Sequence, residues 1–160
     1  MQTFHIITVG TLKEAYLTAA VNEYVKRLGA YVKVELHAVK ESRLPEKPNE
    51  AEVKAALAEE AKRMLALVPP RSYRIALCVE GRQLSSTAFS ELLSDAASRG
   101  GSHVAFFIGS SEGLDENLKK SCDLRLSVSE MTFPHQLMRV MLLEQLYRAE
   151  NIANGGKYHK

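Results

Sequence analysis

From Phe4 to Val9 the chain makes a short, mainly apolar run closed by Gly10; beyond it Leu17, Val21, Tyr24, Val25 and Leu28 recur at the spacing of one helix face. The pattern predicts a strand followed by a helix. Val32, Val34, Leu36 and Ala38 then alternate with Lys33, Glu35 and His37, the period of a second strand with one wetter side. Residues 40–48 are polar, hold Pro45 and Pro48, and read as a mobile loop. Asn49 with Glu52 three positions on makes a capping-box start for a helix that Pro69 and Pro70 should end.

Tyr73–Val79 and His103–Ile108 are mainly apolar runs, as expected of strands covered on both faces, with a helix from Thr87 to Ser98 between them. Leu124–Val128 supplies a fifth, shorter strand. Strand and helix therefore alternate. That order forces crossover connections and predicts a three-layer α/β fold with a mostly parallel sheet of five or six strands, as a single domain over residues 1–160. A last helix should run from Pro134 to about Asn151. In it Leu137, Met138, Val140, Met141, Leu142, Leu143 and Leu146 cover more than one side, too much apolar surface for a single sheet to bury. The economical second partner is the same helix of another copy across a twofold axis, so a homodimer is expected.

Composition narrows the picture without deciding it. With 46% hydrophobic residues in 160, the chain can bury a core without disulfides or a metal. Cys78 sits in an apolar run and Cys122 in a polar turn, with no CxxC spacing and no histidine beside them in sequence, so two reduced structural thiols and no metal are expected. No stretch approaches the roughly 18 apolar residues of a membrane span, and MQTFHIITVG lacks the basic and apolar regions of a signal peptide, which points to the cytoplasm. A net charge of +2 neither requires nor excludes a nucleic acid partner, because a local basic patch suffices.

In parallel sheets ligands sit outside the carboxyl ends of the strands. The loops after Val79, Ile108 and Val128 thus become candidates. The second reads Ile108-Gly109-Ser110-Ser111-Glu112-Gly113; it is neither a P-loop nor a GxGxxG turn, and Glu112 would repel a polyphosphate. The third, with Val128, Ser129, Glu130, Met131, Thr132 and Phe133, offers small, sulfur and aromatic side chains between a strand end and a proline-started helix, suited to enclosing an adenosine and a methionine tail. The end of the sequence, Lys157-Tyr158-His159-Lys160, carries a ring, an imidazole and two ammonium groups on what reads as a flexible tail, able to stack on a base and pair with phosphate.

IGSSEG after a strand, SVSEMTFPHQLMRVMLLEQLYRA, the terminal YHK, the N-terminal ITVGTLKEAYL and the central LSS at Ser85 together resemble the RlmH family of SPOUT methyltransferases, over essentially the full length. The resemblance implies a C-terminal trefoil knot and an obligate homodimer. It also implies S-adenosylmethionine as cofactor, bound at the matching positions Leu77, Gly109, Val128, Ser129, Glu130, Met131, Thr132 and Phe133. The implied product is an N3-methylated pseudouridine in large-subunit (23S) ribosomal RNA, with the assembled 70S ribosome as substrate. Two departures bear on local geometry: Ser110 stands where the family usually has a second glycine, and Lys157 where it often has proline.

For such a transfer the protein must align N3 with the methyl group and help remove the N3 proton, a task suited to imidazole. His159 is the candidate base, Tyr158 the stacking ring, and Lys160 and Arg139 the groups that steady phosphate or developing negative charge. His135, in the first turn of the last helix, competes with His159 but reads first as a structural hydrogen-bonding group. His5, His37 and His103 lie within strand patterns and read as structural. Two other classes remain open: an α/β module that has lost the chemistry, and a SPOUT enzyme acting on tRNA ribose, which usually carries an added RNA-binding domain.

Overall fold

The computed structural model describes residues 1–160. Strands and helices alternate as β1 (Thr3–Val9), α1 (Ala15–Leu28), β2 (Lys33–Val39), α2 (Glu50–Leu65), β3 (Tyr73–Gln83), α3 (Ser86–Ser98), β4 (His103–Ile108), α4 (Glu116–Ser121), β5 (Leu124–Ser127) and α5 (His135–Ala153). The five strands form one sheet in the order β2-β1-β4-β3-β5, and every pairing is parallel. The expected three-layer α/β architecture is present, with five strands.

Local signals account for most boundaries. The Asn49 side chain accepts from the Glu52 amide at 2.8 Å while the Glu52 carboxylate accepts from the Asn49 amide at 3.2 Å, so the capping box that starts α2 is complete. The helix ends at Leu65, four residues before Pro69, because the chain turns through Ala66–Val68 rather than running up to the proline pair. Residues 41–49 are irregular, as expected, but the start of the loop is fastened to α2. Arg63 donates to the Lys40 carbonyl and the Ser42 hydroxyl, and the Ser42 amide donates to Glu60.

Strand alternation sorts the core into two layers. Phe4, Ile6, Ile75, Val104 and Phe106 face α1, α3 and α5, where they meet Val21, Leu28, Phe89, Leu93, Leu142, Leu143 and Leu146. On the other side Ile7, Val9, Ala76, Ala105 and Phe107 pack under Met64 of α2 and Leu118 of α4. The edge strand β2 departs from its sequence pattern. Leu36, on the supposedly drier side, is half exposed, whereas Glu35 and His37 are half buried, because at a sheet edge neither face is fully covered.

Two features position the site. First, β3 pairs with Leu126 of β5 twice, through Leu77 and again through Arg82, so residues 78–81 step out of the ladder as a bulge. The β5 backbone passes so close to Gly81 that a Cβ there would lie 2.7 Å from the Leu126 carbonyl carbon. Second, α5 packs between α1 and α3 with Leu142, Leu143, Leu146 and Ala149 buried, leaving Leu137 exposed and Met138, Val140 and Met141 only half covered.

Candidate functional site

The bulge of β3, the turn after β4 and the loop after β5 meet at the carboxyl ends of the strands and enclose a cavity of about 610 Å³. That is a size typical of small-molecule sites. Its walls include Leu77, Gly109, Val128, Ser129, Met131, Thr132 and Phe133, seven of the eight positions expected to hold the cofactor. Glu130 is the exception. It is exposed and does not line the cavity, since the loop turns its side chain to solvent between two residues that face inward. A larger hollow of about 1160 Å³ lies around Tyr73 and His103, at the opposite end of the strands from these loops.

The turn after β4 is built on backbone proximity. The Gly113 amide donates to the Ser110 carbonyl at 2.9 Å, and Gly113 takes a positive φ of 87° that a side chain would resist. A Cβ on Gly109 would collide with the Gly113 carbonyl. Ser110 does not share this constraint: it is buried without a positive φ, and its hydroxyl accepts from the Glu112 amide at 3.3 Å. Serine at this family-glycine position is therefore absorbed by the turn. The loop after β5 is likewise self-supported, with the Ser127 hydroxyl donating to the Ser129 carbonyl and the Met131 amide donating to the Ser129 hydroxyl.

Charge at the cavity wall is balanced on one side only. Lys119 contacts Glu80 at 2.6 Å and Glu116 at 3.0 Å. Burial opposes its charge, but the two carboxylates outweigh it and hold the ammonium above its usual range. The hydrogen bond from Lys119 in turn holds Glu80 below the usual carboxylate range. Glu112 also lines the cavity, so the enclosure favours a cationic ligand over a polyphosphate. Both cysteines are free, and burial pushes the Cys122 thiol up to about 11, in keeping with inert reduced thiols.

The residues expected to act on RNA are elsewhere. The tail is folded back on α5: the Tyr158 amide donates to the Asn151 side chain at 3.0 Å, and the phenol donates to Glu144 at 3.1 Å. The Tyr158 ring stands edge-on to Tyr147, with the Arg148 guanidinium 4.8 Å from its centre. Burial, then the hydrogen bonds with Tyr24 and Glu144, raises its phenol to about 12. His159 Nδ1 is 3.2 Å from Arg148. Lys160 is exposed at the end. The thirteen residues from His135 to Arg148 correspond to about 20 Å along a helix, so in a single chain His159 stands far from the cavity. Arg139 is buried and donates to the Val9 and Gly10 carbonyls at 2.8 and 2.9 Å, tying α5 to the end of β1 rather than facing the cavity.

His135, which the sequence suggests first as a structural hydrogen-bonding group, stands at the cavity instead of at the tail. It lines the cavity at the start of α5, and burial, followed by the nearby Arg139 charge, lowers its imidazole below the ordinary value. The one available signal was its place directly after a loop already suspected of binding a ligand.

The family model described as "Predicted SPOUT methyltransferase" matches residues 1–159. The chain is 46% identical over 155 residues to ribosomal RNA large subunit methyltransferase H of Streptococcus thermophilus (strain CNRZ 1066), covering 97% of this chain and 98% of that protein. It is 43% identical, with the same coverage, to the protein of that name from Streptococcus suis (strain 05ZYH33). Among solved structures, a probable methylase family protein from Haemophilus influenzae Rd KW20 is similar with a TM-score of 0.58 at 16% identity, covering 98% of this chain and 70% of that one, a likeness of fold.

Proposed function

The chain belongs to the SPOUT methyltransferase family, and from that membership we propose that it transfers the methyl group of S-adenosylmethionine to N3 of a pseudouridine in large-subunit ribosomal RNA, acting on the assembled 70S ribosome in the cytoplasm. The observation that carries the reading is the cavity at the carboxyl ends of β3, β4 and β5, lined by Leu77, Gly109 and the Val128–Phe133 loop. Membership also supports a knotted C-terminal half.

The residues present suit the cofactor. Leu77, Val128, Met131 and Phe133 offer apolar walls for an adenine ring, and the bare Gly109 leaves the turn no side chain to fill the space. Lys119 offsets Glu80, and Glu112 leaves the lining with an excess negative charge that suits a sulfonium cation. When bound, S-adenosylmethionine supplies the electrophilic methyl group. The chain's own task is to orient the base and take the N3 proton.

For the RNA side, the working unit is a homodimer in which one copy's tail serves the other's cavity. Exposed Leu137 and half-covered Met138, Val140 and Met141 leave α5 apolar surface that its own chain covers only in part. A twofold axis crossing α5 near its middle sets the two helices antiparallel, so the His159 end of one copy lies beside the His135 end of the other. His159 then accepts the N3 proton, Tyr158 stacks on the target and Lys160 meets phosphate. Arg139, whose Nη2 is held by two carbonyls, acts as a positioning residue for the start of α5.

The test is transfer of labelled methyl from S-adenosylmethionine to whole ribosomes and, separately, to free large subunits, both from cells lacking this gene. Labelled N3-methylpseudouridine from ribosomes supports the reading. Label on a ribose, or no transfer despite bound cofactor, overturns it.

A further inference from the structure

On strands β1, β2 and β4, toward the β2 edge of the sheet, four side chains with lone pairs converge on one face. The parallel register sets His5 of β1 beside Glu35 of β2, Ile7 beside His37, and Thr3 beside His103 of β4. Alternation turns all four toward the side covered by α2 and α4. His5 Nδ1 lies 3.3 Å from Glu35 Oε2 and 3.5 Å from His37 Nε2, and His37 Nε2 lies 3.5 Å from the same carboxylate oxygen.

Three donor atoms thus form a nearly equilateral triangle. A tetrahedral divalent ion held by bonds of about 2.1 Å has donor-to-donor edges of about 3.4 Å, the size of this triangle. A hydrogen bond explains the pair of imidazoles less well, because 3.5 Å between ring nitrogens is beyond the usual range. The ring centres are 5.7 Å apart, further than the nitrogens by about two ring radii, so the two nitrogens face each other rather than stacking face to face.

The surroundings complete the arrangement. His5 Nε2 is 2.9 Å from His103 Nδ1. With the proton on Nε2 donated to His103, Nδ1 of His5 keeps its lone pair for the triangle, the usual arrangement of a metal-bound histidine and its outer partner. Lys33 holds the other carboxylate oxygen of Glu35, Oε1, at 3.0 Å, and its own side chain is two-thirds exposed and free to move away from an incoming cation. His5 is buried while Glu35 and His37 are reached by solvent, which gives an ion a path in and leaves room for water as a fourth ligand.

We propose that His5, Glu35 and His37 form a binding site for a four-coordinate divalent transition-metal ion of the zinc type, with His103 as the hydrogen-bonded partner of His5. The two-histidine, one-carboxylate set has no sulfur and suits zinc. The ion fastens the edge strand β2 to β1 and takes no part in methyl transfer, since neither strand contributes a wall to the cofactor cavity. This site stands independently of the proposed reaction.

The experiment strips the purified full-length protein with a chelator, then titrates it with Zn²⁺ alone by calorimetry, and with Co²⁺ by visible absorption, whose intense bands report four-coordinate geometry. One zinc per chain is expected, with a zinc-dependent rise in unfolding temperature. Glu35→Gln and His37→Ala, both at half-exposed edge positions, should each weaken binding on the order of 100-fold while leaving the circular dichroism spectrum unchanged. His103→Ala should weaken it by roughly tenfold. His159→Ala should bind as the parent does. Absence of zinc binding by the stripped protein, or equal binding by the Glu35 and His37 variants, overturns the assignment.

Discussion

Helix α5 joins two regions built on opposite terms. At its amino end, His135 closes a cavity whose every wall comes from one chain, held by turns such as Ser110–Gly113 and Ser127–Met131 that hydrogen-bond within themselves. At its carboxyl end, Tyr158 and His159 are packed against Tyr147, Arg148 and Glu144, away from that cavity. The difference sets a cavity built by convergent strand ends against a tail held in an ordered position, which on the proposed reading serves RNA beside a second copy.

The largest effect should follow from filling the turn. Gly109→Ala drives a Cβ into the Gly113 carbonyl and should lower cofactor affinity by roughly 100-fold, within the few kcal/mol that overpacking costs, as read by calorimetry with S-adenosylmethionine. Unchanged affinity would mean that the turn is not a cofactor wall.

His159→Ala should slow single-turnover methyl transfer by about 100-fold while leaving cofactor affinity alone. If tail and cavity belong to different copies, mixing the Gly109→Ala and His159→Ala proteins places both lesions in one site of each mixed dimer and leaves the other site whole. About a quarter of the parent activity should then return on random exchange of subunits. No recovery would place the tail with its own chain's cavity and remove the distinction between the two regions.

A smaller effect concerns how firmly the tail is stored. The Tyr158 phenol is raised from 10.0 to about 12, so its stabilising contribution is complete below pH 10 and is lost as pH rises through about 12. Ultraviolet absorbance should show a tyrosine step near pH 12 that Tyr158→Phe abolishes, with the cavity still binding cofactor in the variant. The same variant loses the hydrogen bond to Glu144 and should unfold with about 1 kcal/mol less stability in denaturant titration. If Tyr158→Phe instead removes amplitude near pH 10, the tail is free in solution.

How much of this was legible beforehand differs by region for a physical reason. The alternation of strand and helix, the capping box at Asn49 and the glycine turn at Gly109 depend on neighbours within a few positions, and their sequence signals carried through to the structure. Seven of eight expected cofactor positions line the cavity because strand ends in a parallel sheet must converge, whichever side chains they carry. The tail was read as flexible because its own residues are polar; its anchors, Asn151, Glu144 and Tyr147, belong to a helix face whose orientation no local pattern fixes.

By itself, then, the sequence determined the layers, the parallel sheet, the loops that form the cavity and, through MTFPHQ and its companion motifs, the family. Only the tertiary structure decided that Arg139 clamps β1, that Glu130 turns outward and that β3 bulges at residues 78–81. It also brought His5 to His37 across 32 positions and to His103 across 98. Those pairings depend on strand order and register, which are set by the packing of two whole cores and leave no periodic trace in the residues that happen to meet.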